Sequence, residues 1–314
     1  MNAHAGAVSR SRISEVEAVI RPHIRHTPVT RVAGADFGIA IPEVTFKHEY
    51  MQRSGSFKAR GAFTNLLCRE VPKAGVVAAS GGNHGAAVAF AAKATGHKAA
   101  IFVPEITPLA KADRIRSYGA ELVVGGPRYS EALEASLAYA ARTGAMPVHA
   151  FEQAETMLGQ GTVGLEIEQD APGLDTLLVA VGGGGLIGGI AAWFEDRVKI
   201  VAVEPEGSPT LHMALNAGKP VDAPTDGIAS DSLSPKRVGE MMFPIAQRYI
   251  NESILVSDDD IRAAMKSLWD VLRVVSEPGG AAAFAALQSG KYAARPGEKI
   301  AVLLCGANTA AVNF

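Results

Sequence analysis

The chain has 314 residues, 48% of them apolar and 20% charged, with a formal net charge of −2. This composition specifies a globular protein of about two domains with a sizeable core, and excludes a disordered chain. The near-neutral balance, without a long Lys/Arg run, leaves no footprint for nucleic acid, and the apolar runs break at glycine or charge well short of a membrane span.

In chain order, Met1 to Ser11 mixes Ala, Gly, Ser and Arg without an apolar stretch, so no secretory signal is expected. The two cysteines, Cys68 and Cys305, lie far apart and fit a reducing cytoplasm. His23-x-x-His26 has no further partners that would make it a zinc site. The run Ser54-Gly55-Ser56-Phe57-Lys58-Ala59-Arg60-Gly61 leads into an apolar stretch, Ala62 to Leu67, that reads as a helix. Lys58 therefore sits at a loop-to-helix junction. Most lysines at helix starts are solvated, and a lysine amine does covalent chemistry only when a desolvated pocket or a nearby cation holds it near neutral.

From Val76 the chain alternates. Val76 to Ser80 reads as a strand, Gly81 to Gly85 as a loop, and Ala86 to Thr95 as a small-residue helix. Ala99 to Pro104, Ala120 to Val124 and Pro147 to Phe151 follow as strands, with helices around Leu109 to Tyr118 and Ser130 to Arg142. The pattern restarts with a strand at Asp175 to Val181, a loop at Gly182 to Gly185, a helix at Leu186 to Glu195 and a strand at Lys199 to Glu204. A polar loop region spans Gly218 to Arg237. A helix at Asp258 to Val275 has Ser257 as its N-cap and acidic residues in its first turn. Gly279 to Ser289 reads as a helix and Lys299 to Cys305 as a buried strand. Such β-α-β-α alternation specifies α/β architecture: two open, mainly parallel sheets with a cleft between them. Residues 71–146 are expected to form a small domain, and residues 1–70 with 147–314 a larger one.

Three loops carry chemistry. Gly182, Gly183, Gly184 and Gly185, followed by Leu186, lie between a strand and a helix, where backbone amides and the helix dipole suit a phosphate. Gly183, Gly185 and Gly188 also satisfy a dinucleotide fingerprint, with Glu204 about 20 residues on, so a nicotinamide oxidoreductase is an alternative. Against it, four consecutive glycines exceed that fingerprint, and Lys58 and the next loop are left without a role. Ser80-Gly81-Gly82-Asn83-His84-Gly85 offers amides and a hydroxyl to a carboxylate, and Asn83 can donate to a phenolic oxygen. Cys305-Gly306-Ala307-Asn308 ends a buried strand, where a sheet of this class presents residues to the ligand crevice. No G-x-S-x-G elbow is present, so a serine hydrolase is not supported.

Taken in order, Ser-Phe-Lys, Ser-Gly-Gly-Asn-His, the tetraglycine loop, Glu277-Pro278 and Cys-Gly-Ala-Asn resemble the serine/threonine dehydratase and serine racemase branch of fold-type II pyridoxal-phosphate enzymes. The likeness runs from about Thr27-Pro28 to Asn308. It implies pyridoxal 5'-phosphate in the cleft, a Schiff base at Lys58, Phe57 beside the ring, and Asn83 on the phenolic oxygen. Gly182, Gly183, Gly184, Gly185 and Leu186 would cradle the phosphate, and Cys305 would face the pyridine nitrogen. Glu277 would lie behind the ring. Ser80, Gly81, Asn83 and His84 would hold the substrate carboxylate, with Ser80 and Lys58 as the catalytic pair.

The implied reaction is β-elimination from a threonine- or serine-type β-hydroxy amino acid, giving a 2-oxo acid and ammonia. A racemase, or a dehydratase of 3-hydroxyaspartate or an ectoine-pathway intermediate, is the alternative. Racemases of this family carry a second serine after the first, where Gly81 stands, so dehydration is favoured. Metal-binding relatives have a carboxylate where Thr210 stands, which leaves a divalent cation near Glu204 short of ligands. The resemblance further implies a homodimer, a cytoplasmic location and no C-terminal regulatory domain.

Overall fold

The computed structural model describes residues 7–233 and 235–309. In chain order, α1 (Arg10–Ile20), β1 (Val29–Ala33), β2 (Glu43–His48) and α2 (Lys58–Cys68) precede a strictly alternating run. That run is β3 (Val76–Ala79), α3 (Asn83–Thr95), β4 (Ala99–Val103), α4 (Leu109–Ser117), β5 (Glu121–Val124), α5 (Tyr129–Thr143) and β6 (Met146–Pro147). Helix α6 (Ala154–Asp170) leads to β7 (Thr176–Ala180), α7 (Gly185–Phe194), β8 (Lys199–Pro205), α8 (Thr210–Ala217), α9 (Ser230–Leu233) and α10 (Phe243–Tyr249). The described chain closes with β9 (Ile250–Val256), α11 (Asp258–Leu272), α12 (Pro278–Gln288) and β10 (Ile300–Leu304).

Two sheets result, in the strand orders β1-β2-β10-β7-β8-β9 and β5-β4-β3-β6. Every pairing is parallel except that of β1 with β2 at the edge of the larger sheet. The expected α/β class with two mainly parallel sheets is what forms. Parallel strands need apolar cover on both faces, and the residues supply it. In the smaller sheet, Val76, Ala78, Ile101 and Val103 join the main core, whereas Val77, Ala79, Ala100 and Phe102 pack with Ala132 of α5 and with Ala145.

Several boundaries differ from the sequence reading. Only Met146 and Pro147 pair with β3, so the strand expected to reach Phe151 stops early. The imidazole of His149 explains this, because its Nδ1 accepts from the amides of Phe151 (3.3 Å) and Glu152 (2.9 Å) and curls the chain out of the sheet. Helix α11 starts as expected, with Ser257 and Asp260 forming a reciprocal cap, but ends at Leu272, where Arg273 takes φ +58°. Helices α1, α6, α8, α9 and α10 and strands β1, β2 and β9 were not expected. Among the described residues no helix is long and apolar enough to cross a membrane.

This topology gathers the chemistry. Residues 80–83 follow β3, 148–152 follow β6, 182–184 follow β7 and 305–308 follow β10. All four loops thus leave the carboxyl ends of parallel strands, where open α/β sheets bind ligands.

Candidate active site

Lys58 is placed by pairing between two distant segments. Phe57 N donates to Cys305 O (3.2 Å), Ala307 N donates to Gly55 O (3.1 Å), and Ser56 bridges Gly306. The first turn of α2 therefore abuts the end of β10. Lys58 Nζ donates to Ala150 O at 2.8 Å and lies 5.1 Å from the centre of the Phe57 ring. Burial of the amine pushes its pKa down to about 8, although the residue as a whole is only half-buried. The sequence condition for a reactive lysine is met by desolvation.

Beneath this turn lies an ion network with no exposed side chain at its centre. Arg60 is wholly buried and donates to Glu49 (2.8 and 2.7 Å), to Glu166 (2.9 and 2.8 Å) and to Thr162 Oγ1 (3.0 Å). Lys47, equally buried, donates to Glu166 Oε2 at 2.7 Å. Burial alone raises a carboxyl, but Arg60 and Lys47 overcome it and hold Glu166 far below the usual range. Strand β2, helix α2 and helix α6 are thereby tied together at the residue two places after Lys58.

The tetraglycine loop is packed from behind. A Cβ on Gly183 would strike the Phe151 ring, one on Gly185 would lie 2.9 Å from Phe151 Cα, and one on Gly184 would lie 2.5 Å from Met242 Cε. Gly184 also has φ +87°, which L side chains adopt at a cost. The glycines therefore answer to packing as well as to any ligand. The amides of Gly185, Leu186 and Ile187, in the first turn of α7, have no intrahelical partner and remain available to an anion. Gly239 N donates to Gly183 O (3.1 Å) and Glu152 Oε1 accepts from Met241 N (2.8 Å), which fixes this wall.

In the loop after β3, Ser80 Oγ accepts from Gly82 N (3.2 Å), leaving its own proton to donate elsewhere. Asn83 Nδ2 donates to Glu277 Oε1 (2.5 Å) and Asn83 Oδ1 accepts from Asn308 Nδ2 (2.5 Å), so one N–H of the Asn83 amide is spare. Glu277 is buried and its pKa rises to about 7 through burial, against the bond from Asn83. The His84 ring turns inward: Nε2 donates to Val148 O (2.8 Å), and burial with the nearby Lys58 charge lowers its pKa to about 3. Only its backbone can serve the loop. Cys305 is buried, its thiol donates to Gly279 O (3.4 Å), and burial lifts it far above the ordinary thiol range.

Glu204 stands apart from these groups. Its oxygens accept from Thr210 Oγ1 (3.0 Å), Leu211 N (2.7 Å) and His212 N (2.7 Å), so it caps α8. Burial raises its pKa to about 7 despite those bonds. A carboxylate so occupied does not fit a cation site, and among the described residues no group of three or more potential ligands is found. It is equally unavailable to a ribose, as the dinucleotide alternative would require.

Sequence reasoning missed the turn from His149 to Glu152, which holds the Lys58 amine through Ala150 and backs the glycine loop through Phe151. Its one signal was position, directly after a strand end. Short segment 229–233 was also missed. It roofs the loops, with Asp231 O 3.4 Å from where a Cβ on Gly82 would lie and Leu233 Cα 3.3 Å from one on Gly182.

An amine with a depressed pKa, amides at a helix start, and an asparagine with a spare N–H form a donor set suited to a phosphorylated aldehyde. Fold and site together define an enzyme whose ligand lies between two parallel α/β sheets. The family model of pyridoxal-phosphate dependent enzymes matches residues 20–306, and the chain belongs to that family. It is 36% identical over 299 residues to an L-threonine ammonia-lyase of Geobacter sulfurreducens, covering 94% of this chain and 74% of that one. It is 36% identical over 310 residues to the phenylserine dehydratase of Ralstonia pickettii, covering 97% and 94%. Maize serine racemase superposes with a TM-score of 0.91 at 32% identity, over 96% of this chain and 94% of that one. Family membership sets aside the nicotinamide alternative.

Proposed function

We propose that the protein is a lyase that removes water from a threonine- or serine-type amino acid and releases, after hydrolysis, a 2-oxo acid and ammonia. Pyridoxal 5'-phosphate, when bound, supplies an electron sink for the bond broken at Cα. The chain supplies the rest. Lys58 is the attachment point and the base at Cα, and a pKa of about 8 puts it close to the optimum for proton transfer near neutrality. The amides of the tetraglycine loop and of Leu186 would hold the phosphate. Asn83, held by Glu277 and Asn308, would offer its spare N–H to the phenolic oxygen. Ser80 Oγ and the amides of Gly81, Asn83 and His84 hold the substrate carboxylate. Cys305 offers the ring nitrogen a neutral thiol, which does not enforce protonation as a carboxylate would.

The observation that carries this reading is the Lys58 amine, desolvated and held by Ala150 O at the meeting point of an anion loop from each sheet. Elimination is preferred to racemisation because Gly81 has no side chain to move a proton on the other face of Cα. The experiment is a panel of L-threonine, L-serine, 3-hydroxyaspartate and phenylserine, read as 2-oxo acid, with borohydride reduction expected to fix the cofactor to the Lys58 peptide. Absence of 2-oxo acid from every substrate would refute the assignment. The same reading includes a smaller domain of residues 71–146 between the parts of a larger one, a cytoplasmic location and a homodimer, the last tested by light scattering.

A further inference from the structure

The space beside Gly81 is already filled. A Cβ on Gly81 would lie 2.6 Å from Thr107 Oγ1, 2.7 Å from Thr107 Cγ2 and 3.2 Å from Thr107 Cβ. Thr107 stands on the loop between β4 and α4, in a turn closed by its amide on Pro104 O (3.0 Å). The residue is half-buried, and its hydroxyl has no hydrogen-bond partner among the described residues. A hydroxyl and a methyl from a second loop thus occupy the lobe that a side chain at residue 81 would take.

We propose that Thr107 Oγ1 is a substrate-binding hydroxyl that completes the carboxylate subsite of the Ser80–Asn83 loop. This rests on the reading of that loop as the carboxylate site. The loop's own donors are Ser80 Oγ and the amides of Gly81, Asn83 and His84, since the Gly82 amide is spent on Ser80 Oγ and the His84 ring is turned inward. Thr107 Oγ1 would add a donor from the second loop. A β-branched residue suits the task, since its stiff χ1 aims the hydroxyl while Cγ2 packs on Gly81. Side chains at 81 and 107 are therefore mutually exclusive: the subsite takes its second hydroxyl from one position or the other.

The test uses holoenzyme and 2-aminoisobutyrate, an amino acid with the required carboxylate but no Cα proton to lose. Thr107→Val keeps the shape and removes the hydroxyl. Calorimetry should show its binding about ten- to a hundredfold weaker, the range for a hydrogen bond to a charged group. KM for the reacting substrate should rise in parallel with kcat changed by less than about threefold, as for an interaction made equally in ground and transition states. Thr107→Ser should recover most of the affinity. Gly81→Ser alone should weaken binding through collision with Thr107, and Gly81→Ser with Thr107→Gly should restore it. Unchanged affinity in Thr107→Val, or a serine variant as weak as valine, would overturn the assignment. Binding that depends on Thr107 in an enzyme forming no 2-oxo acid would uphold the subsite and refute only the elimination. A wild type that binds no 2-aminoisobutyrate would overturn both.

Discussion

Arg60→Met removes the one cation that bridges both buried carboxylates under Lys58. Five hydrogen bonds go with it, four of them to Glu49 and Glu166. Glu166 keeps Lys47 at 2.7 Å and Arg21 at 2.6 Å, but Glu49 keeps only the Thr27 hydroxyl at 2.5 Å. Removing one partner of a buried pair costs about 3–5 kcal/mol, and the stranded Glu49 places this site in that range. Arg60→Lys should lie between, because a point charge does not reach two carboxylates with one fork. Adding Glu49→Gln to Arg60→Met should recover part of the loss, with a coupling of roughly 1–3 kcal/mol for groups in direct contact. Urea unfolding without cofactor measures all three. The deficit should shrink at acid pH, since an unpaired buried carboxyl has a raised pKa and takes up its proton in the folded state first. A folded Arg60→Met protein within 1 kcal/mol of wild type, or a deficit that grows as pH falls, would refute the view that this network pins the first turn of α2.

Gly184→Ala should destabilise the apoprotein by roughly 2–5 kcal/mol, the sum of left-handed strain and overpacking; adding Met242→Ala, to make room, should return only the packing part in urea titrations. Wild type should form 2-oxo acid from L-serine about a hundredfold or more faster than D-serine, the scale of one missing general base. Because a Cβ at 81 meets Thr107, Gly81→Ser should raise the D-serine share only when Thr107 is also shortened, and chiral chromatography reads both. His48, His84 and His149 have pKa values lowered to about 4, 3 and 4, chiefly by burial, so the unfolded chain binds protons that the folded one does not. Their contribution is full above about pH 6.5 and is lost as pH falls toward 4, giving a urea midpoint that declines across that window. A flat midpoint would mean that these rings are solvated.

The alternating half of the chain was legible because each strand there is a short apolar run ended by glycine or a polar loop. Ser80, Asn83 and Cys305 were legible because they follow the ends of β3 and β10, where a parallel sheet opens on its ligand. Lys58, by contrast, stood out only at a loop-to-helix junction and Glu277 only through the family resemblance. What escaped the sequence had compensating patterns. Helix α6 is buried almost all round and carries Gly159, Gly161 and Gly164 where Thr64 and Arg60, Ile13 and Trp193 press against it, so its glycines mimic a loop. The Arg60 network was hidden because Lys47, Glu49, Arg60 and Glu166 look like ordinary surface charges until three elements converge. Thr107 was hidden because the signal is an absence at Gly81, filled from a loop 26 positions away.

Strand β10 comes last among the strands but sits third in its sheet, between β2 and β7. During synthesis the smaller sheet can close once Pro147 emerges, while the larger one waits in two halves with facing edges unpaired. At about 5–20 residues per second, the roughly 150 residues still to come take about 8–30 s. Open apolar edges over that interval are a hazard for mispairing, which makes this the stage at which a nascent-chain chaperone would matter most. The wait also acts as a completeness check. Lys58 gains its backbone pairing only when residues 305–307 arrive, so a chain cut short before Ile300 keeps every residue of the glycine loop and still has no assembled site.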